Sequence, residues 1–299
     1  MTVQIQRSAA LAGIGLMLTG VFLFSINDAV GKWLVGTYSV AQLLLIRSLT
    51  MLVLLAPFVH RGGIGAIKTA PRPRLQGLRV LFSTLDVVLF FWAVTYLPLV
   101  DATVFYMAGV IYVTVLSSLV LGERVDRRRW IAVLAGFGGV IIALRPTLAS
   151  FTLPALIALA GSVCFALQIV LTRALRETDE TVLLTSQLFG SFIFGAVAAP
   201  FVWITPSLFD LSFLSGFGVI SLIALFCTNR SLRLAPASVV VPYQYTFLVW
   251  AVLFGWLVFG DIPDGPMLLG GMIIVAAGLY ILRREHLASR RDPGFAPLP

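Results

Sequence analysis

Ten apolar runs succeed one another along this chain, and each has roughly the 20 residues that an α-helix needs to cross a hydrocarbon core. They fall at Ala9–Leu34, Val40–Val59, Leu75–Leu97, Leu99–Leu121, Trp130–Leu144, Leu153–Leu175, Val182–Ile204, Leu211–Leu232, Pro236–Gly260 and Pro266–Leu282. Pro, Gly and charged residues mark the breaks, as helix ends require. Only 11% of the 299 residues are charged and 59% are hydrophobic. Soluble domains carry about 25% charge, so a water-soluble globule is excluded. The expected fold is an all-α integral membrane protein of ten transmembrane helices, with no length left over for a separate soluble domain.

The net charge of +8 is unevenly spread. With the N-terminus in the cytoplasm, 18 of the 21 basic residues fall on that side: Arg7, the bases from Arg61 to Arg79, the run Arg124 to Arg129, then Arg173, Arg176, Arg230, Arg233 and the bases after Leu282. Lys32 and Arg145 fall on the other side, and Arg47 lies inside the second span. This is the positive-inside pattern, so both termini are expected in the cytoplasm. The basicity therefore reads as an orientation signal and not as a nucleic-acid surface. The first run is too long for a secretory signal, lacks a small-residue cleavage site and continues into Asn27, Asp28 and Lys32, so it reads as a spanning helix. Residues 60–74 and the polar, Pro-rich segment 285–299 read as solvated connectors.

Corresponding segments recur at a period of roughly 140 residues. Phe24-Ser-Ile-Asn27 through Lys32 lines up with Phe165-Ala-Leu-Gln168 through Arg173. Ala56-Pro57-Phe58 lines up with Ala199-Pro200-Phe201, and Gly122-Glu123 with Asp126 lines up with Gly260-Asp261 with Asp264. The halves are residues 8–147 and 150–284. Each holds five spans, an odd number, so the second copy must enter the membrane from the opposite face. Two inverted five-helix repeats are the architecture of secondary carriers, whose substrate site lies near the midplane between the halves.

Charged residues at membrane depth cost about 2.5–3.5 kcal/mol each on insertion scales, so they persist where they are paired or useful. Asp28 and Arg47 lie at similar depth in the first and second spans and suit an ion pair; Lys32, four residues beyond Asp28 on the same helical face, is a competing partner. Asp86 sits halfway along the third span with no base adjacent in sequence. A carboxyl there suits proton coupling or a polar substrate group, or else pairing with Arg47. The position matching Asp28 in the second half is Ile169, so the charged cluster belongs to one half. Pro242 in Val241-Pro242-Tyr243-Gln244-Tyr245 should bend the ninth helix. Tyr106, Trp92, Tyr243, Tyr245 and Trp250 lie away from the expected interfaces and suit a flat heterocycle, or aromatic core packing. Gly136, Gly138, Gly139, Gly270, Gly271 and Gly278 suit close packing of the fifth and tenth helices.

No catalytic motif is present: there is no His-Glu-x-x-His, no Gly-x-Ser-x-Gly and no phosphate-cradling Gly-rich loop. His60 and His286 lie at or beyond span ends, and Cys164 and Cys227 form no metal or disulfide pattern. The chain is expected to be a carrier and not an enzyme, with no metal and no cofactor. Its expected partners are a small-molecule substrate and the bilayer; monomer and homodimer both stay open.

The two Gly-Glu/Asp-x-x-Asp segments, each opening a Gly-rich last helix, resemble the paired ten-helix domains of the drug/metabolite transporter superfamily, EamA-type carriers included. Phe24 through Trp33, Leu45-Ile-Arg47-Ser48, Arg79 through Asp86, and Pro242-Tyr243-Gln244-Tyr245 are similar to segments of bacterial riboflavin importers. They also resemble S-adenosylmethionine uptake carriers, which share the Asn-Asp and Lys positions. Likeness to aromatic amino acid exporters is limited to helix count and repeat. Asp86 stands where riboflavin importers are expected to have Glu, and Gly109-Val110 stands where Ala-Pro is expected. The resemblance implies a flavin-sized aromatic substrate with Asn27, Asp28, Arg47, Asp86, Tyr106, Gln168, Tyr243 and Gln244 lining its cavity. Asp86, Arg47 and Lys32 would serve coupling, and Pro242 and Gly109 would be hinges.

Overall fold

The computed structural model describes residues 2–62, 72–122, 127–144 and 152–260, together with ten residues between 265 and 280. The helices are α1 (Thr2–Val35), α2 (Val40–Gly62), α3 (Pro73–Tyr96), α4 (Leu99–Val120), α5 (Arg127–Leu144), α6 (Leu153–Ala174), α7 (Glu180–Ala198) and α8 (Leu208–Leu234). The ninth span is α9 (Ala237–Val240), a 3-10 stretch (Val241–Tyr245) and α10 (Thr246–Phe259). Among the described residues there is no strand. Among the described residues eight segments are long and apolar enough to cross a membrane, and Trp130–Ile142 is a shorter apolar helix. The described residues of the tenth predicted span are helical, whereas Glu123, Asp126, Asp261, Asp264 and the expected tail fall outside the described residues.

Local chemistry sets the boundaries. Pro73 occupies the first turn of α3, where its missing N–H costs nothing. Asp179 caps α7 by accepting from the Thr181 N–H, and Ser207 caps α8 by accepting from the Asp210 N–H while donating to its carboxylate. Gly122 and Gly260 end the fourth and ninth spans with φ of 66° and 73°, the left-handed conformation that glycine adopts without a Cβ clash. The two Ala-Pro-Phe segments diverge: α2 continues through Pro57, while Ala199–Val202 tightens into a 3-10 turn.

Packing pairs α1 with α8, α3 with α6, and α2 with α7. The α1/α8 pair is antiparallel. Gly13 meets Ser231 and Ala235, Gly20 meets Thr228, Asn27 meets Ser221, and the Trp33 ring meets Phe213 at 5.7 Å. Without a hydrophobic drive in lipid, such small-residue crossings and interhelical hydrogen bonds hold the bundle together. Gly195 lies so close to Leu45 of α2 that a Cβ would stand 2.7 Å from the Leu45 backbone nitrogen.

The ends are tied by matching contacts. Lys32 Nζ donates to the Leu97 carbonyl that closes α3 at 2.9 Å, and Arg173 donates to the Leu232 carbonyl in the last turn of α8 at 2.7 Å. Both place a cation on helix C-terminal carbonyls, where the macrodipole is negative. At the Lys32 end, Tyr38 donates to Asp210 and the Gln42 amide exchanges two hydrogen bonds with the backbone of Ile204. The Asp210 carboxylate beside it holds the Tyr38 phenol above its ordinary range. At the Arg173 end, Arg230 and Arg233 each lie 3.5 Å from Glu180. Two bases counted above as solvent-facing are thus structural. Arg173 is buried, and Arg79 is fully buried, donating to Thr172, the Leu183 carbonyl and Gln187 at 2.7–2.9 Å.

Candidate functional site

Three consecutive helices each bring one ionisable residue to the middle of the bundle: Asp28 from α1, Arg47 from α2 and Asp86 from α3. Among the described residues no ion pair within 4.0 Å joins these three side chains. Arg47 is 6% exposed; its guanidinium lies over the Phe217 ring at 5.3 Å, and its buried Nε has no hydrogen-bond partner among the described residues. Asp28 and Asp86 are half-buried. The expected competitor for Asp28 is elsewhere, because Lys32 extends to Leu97 and over the Phe259 ring.

Tyr106 of α4 closes the cluster on one side, its hydroxyl donating to the Asp86 carbonyl at 2.9 Å. Its ring stands edge-on to Phe90 at 5.0 Å and tilts against Phe165. Gly161 of α6 makes room for it, since a Cβ there would overlap the Tyr106 hydroxyl. Cys164, one turn further along α6, is half-buried.

The other expected residues distribute around this cluster. Asn27 is buried, and Ser221 of α8 donates to its Oδ1 at 2.6 Å, so it belongs to the α1/α8 seam. Gln168 of α6 is 9% exposed, and its backbone carbonyl accepts from the Thr172 hydroxyl. Tyr243 and Gln244 lie in the 3-10 stretch that Pro242 opens, where the ninth span leaves α geometry. Gln244 Nε2 donates to the Met17 sulfur at 3.6 Å. Tyr243 packs in the apolar cluster with Met17 and Val110, while Tyr106 packs in a second one with Phe90 and Phe91, so the two rings do not face each other here. Tyr245 donates to the Val133 carbonyl and rests on Gly136, tying the ninth span to α5. α4 runs unbroken through Gly109, whose Cβ would stand 2.8 Å from Phe165.

Trp92 corrects the expectation of an interior aromatic: it is 47% exposed and, with Trp33, Tyr96, Trp203 and Trp256, forms an exposed aromatic belt at the Lys32 end. Sequence reasoning missed Arg79, Gly161, Cys164 and Ser221. Arg79 lies nearly two turns inside α3, a signal that it is no loop base. Gly161-Ser162 is a small pair of the kind that marks a crossing, while Cys164 and Ser221 carry no local signal.

The EamA-like transporter family matches this chain twice, over residues 11–145 and 152–283. An S-adenosylmethionine uptake transporter of Rickettsia felis is 27% identical over 283 residues, covering 94% of this chain and 96% of its own. A riboflavin transporter of Vibrio cholerae is 28% identical over 291 residues, covering 96% and 98%. The pseudopaline exporter CntI of Pseudomonas aeruginosa is 26% identical over 279 residues, covering 92% and 97%. A solved crystal structure with 17% identity superposes at a TM-score of 0.72 over 95% of this chain and 98% of that one, a likeness of fold.

Proposed function

Because the chain belongs to the EamA-like transporter family, a membrane transporter and not an enzyme, we propose that it is a secondary carrier whose halves, residues 8–147 and 150–284, are inverted five-helix repeats that alternately expose one midplane site. The observation that carries this reading is the group Asp28, Arg47 and Asp86, three ionisable side chains at membrane depth without ion pairs closing them off. Such residues mark substrate and ion pathways. Both termini lie in the cytoplasm, and the membrane is a bacterial inner membrane. This orientation rests on the remaining loop bases, with Arg79 and Arg173 set aside as structural.

The substrate is a small heteroaromatic metabolite taken inward. Riboflavin is the reading supported by the sequence segments and by the name of the Vibrio relative. In it, the flavin ring lies against Tyr106 with Gln168 on its polar edge, and Asn27, Tyr243 and Gln244 join when the bundle rearranges around Pro242 and Gly109. S-adenosylmethionine is the second reading, favoured by one observation: the site holds three ionisable groups, and the flavin ring is uncharged. Asp86, Arg47 and Lys32 couple the movement to the driving ion.

Labelled riboflavin and labelled S-adenosylmethionine are given to cells that cannot make the compound, with and without this protein. Saturable uptake of either, with no ATP requirement, is the expected outcome; no uptake of either, with the protein confirmed in the membrane, overturns the importer reading. An Asp86→Asn carrier is expected to lose pH dependence and at least tenfold in rate, whereas unchanged flux and affinity would remove Asp86 from the mechanism.

A further inference from the structure

At the Arg173 end of the bundle the second half buries one acid among bases. Glu180, the first residue of α7, is 8% exposed, and Arg230 and Arg233 of α8 both approach its Oε2, each at 3.5 Å. Charge-assisted hydrogen bonds are usually about 2.7–2.9 Å long, so neither arginine holds the carboxyl tightly. Its other oxygen, Oε1, is buried and has no hydrogen-bond partner among the described residues. Asn229 of α8, 3% exposed, has a buried Nδ2 in the same condition. Helical register places the two together. α7 and α8 are consecutive antiparallel spans, Leu184 packs in one apolar cluster with Leu225, and one turn further toward this end the same faces carry Glu180 and Asn229. α2 adds only Met51 and Leu55 to that cluster among the buried residues. The other charged or titratable groups nearby are engaged or lie aside. Asp179 caps Thr181, Arg173 of α6 donates to the Leu232 and Arg233 carbonyls, Arg79 of α3 donates to the Leu183 carbonyl and Gln187, and Cys227 stands two residues before Asn229. The fold does not demand an acid here: counted from the capping residues Asp179 and Ser39, the first half has Val40 where the second has Glu180. Two arginines and the α7 dipole favour the carboxylate, while burial and an unmet oxygen oppose it, which suits a group that gains and loses a proton in use.

We propose that Glu180 is a proton-binding residue of the second half and works as a latch on the cytoplasmic face: ionised, it holds α8 to α7 through Arg230 and Arg233, and protonated, it lets α8 go. This rests on the carrier reading and its orientation, and it makes the driving ion a proton. Among the described residues these two contacts are the polar tie between α7 and α8. One proton joining a carboxylate oxygen removes the charge that both arginines face. Their side chains are already 45% and 26% exposed, so they turn to water at little cost. When the carboxyl ionises again the proton leaves to cytoplasmic water and the tie reforms, so the cycle needs no other reactant. The tie is therefore present at high pH and lost as pH falls through the titration of Glu180.

The test uses the purified full-length protein in detergent and follows the infrared stretch of protonated carboxyls as pH is raised. Glu180→Gln removes one such band, so the difference from the unaltered protein isolates Glu180 from Asp28 and Asp86. The band is expected to vanish with rising pH. In Arg230→Gln, which removes a largely exposed cation, it should persist to higher pH, because the ionised form has lost a partner. A Glu180 carboxyl that stays ionised over the whole range in which the protein is folded overturns the proposal, as does an Arg230→Gln titration identical to the unaltered one. Should Glu180→Gln fail to fold, the Arg230→Gln shift decides alone. Uptake into proteoliposomes, with labelled riboflavin and labelled S-adenosylmethionine as probes, separates this idea from the carrier reading. An inward proton gradient is expected to raise uptake several-fold; Glu180→Gln should lose that stimulation and Glu180→Asp recover part of it. Uptake by the unaltered protein that ignores the gradient strikes the proposal and keeps the carrier. So does a Glu180→Gln protein that melts lower yet responds fully to the gradient, the mark of a merely structural residue. A titrating Glu180 with no uptake of either probe strikes the carrier and keeps the proton site.

Discussion

The α1/α8 and α3/α6 pairs are packed alike and filled differently. Along α1/α8 the contacts are small and uncharged: Gly13 on Ser231, Gly20 on Thr228, Asn27 on Ser221. Along α3/α6 a buried charge enters: Arg79 donates to Thr172, and further along α6 Gly161 seats Tyr106 of α4. The α1/α8 contacts named are neutral, whereas α3/α6 includes the buried Arg79 donating to Thr172. The difference locates chemistry on the first half's own residues, since Asp28, Arg47 and Asp86 all precede residue 147. The second-half residue shown against this group, Phe217 beneath Arg47, is neutral.

Replacing Arg79 should separate the seams most sharply. Arg79→Met strands the Thr172 hydroxyl, the Gln187 amide and the Leu183 carbonyl, and breaking a buried charged network of this kind costs about 3–5 kcal/mol. Thermal unfolding in detergent reads it, and a change below about 1 kcal/mol would show that the α3/α6 seam is not held by this residue. Gly20→Ala tests a crossing of the α1/α8 seam, and Gly161→Ala tests the crossing of α6 with α4. Each forces a Cβ into a neighbour, Thr228 or Tyr106, and should cost about 1–3 kcal/mol, while Gly15→Ala, with nothing within 4 Å, should be neutral or slightly stabilising. Gly161→Ala should in addition lower transport by moving Tyr106 off Asp86; equal flux in the Gly20 and Gly161 variants would erase that distinction. Ser221→Ala removes the Asn27 hydrogen bond, and membrane hydrogen bonds of this type average about 0.6 kcal/mol. The smallest effect is at the Lys32 end. The Tyr38 phenol, raised above its ordinary value near 10 by Asp210, contributes its bond fully below that value and loses it as pH rises through the raised value. Tyr38→Phe should therefore flatten the alkaline limb of a melting-temperature profile and leave the neutral range nearly unchanged.

Much of the architecture was readable from the chain because bilayer thickness fixes span length, and proline, glycine and charge fix the ends. The paired left-handed glycines Gly122 and Gly260 stood in the repeated Gly-Glu/Asp segments, and the break at Pro242 stood in the ninth span. Lys32 and Arg173 were legible as counterparts, but not as caps on Leu97 and Leu232, because a hydrogen bond to a carbonyl 65 residues away leaves no mark on local pattern. Trp92 was misplaced for the same reason: its helical position is visible in the sequence, while the direction it faces depends on which neighbours cover α3.

What the sequence determined by itself was the solvent, the helices and the presence of three ionisable residues at membrane depth. These follow from hydropathy and rise per residue, which are properties of short stretches. What only the tertiary structure decided was which polar groups are spent. It occupies Arg79 with three acceptors and Asn27 with Ser221, and it leaves Arg47 on an aromatic face with its buried Nε unpartnered among the described residues. Arginine carries the same five donors wherever it stands, so only the three-dimensional supply of acceptors, set by how six helices cross, distinguishes a structural rivet from a group still open to a ligand.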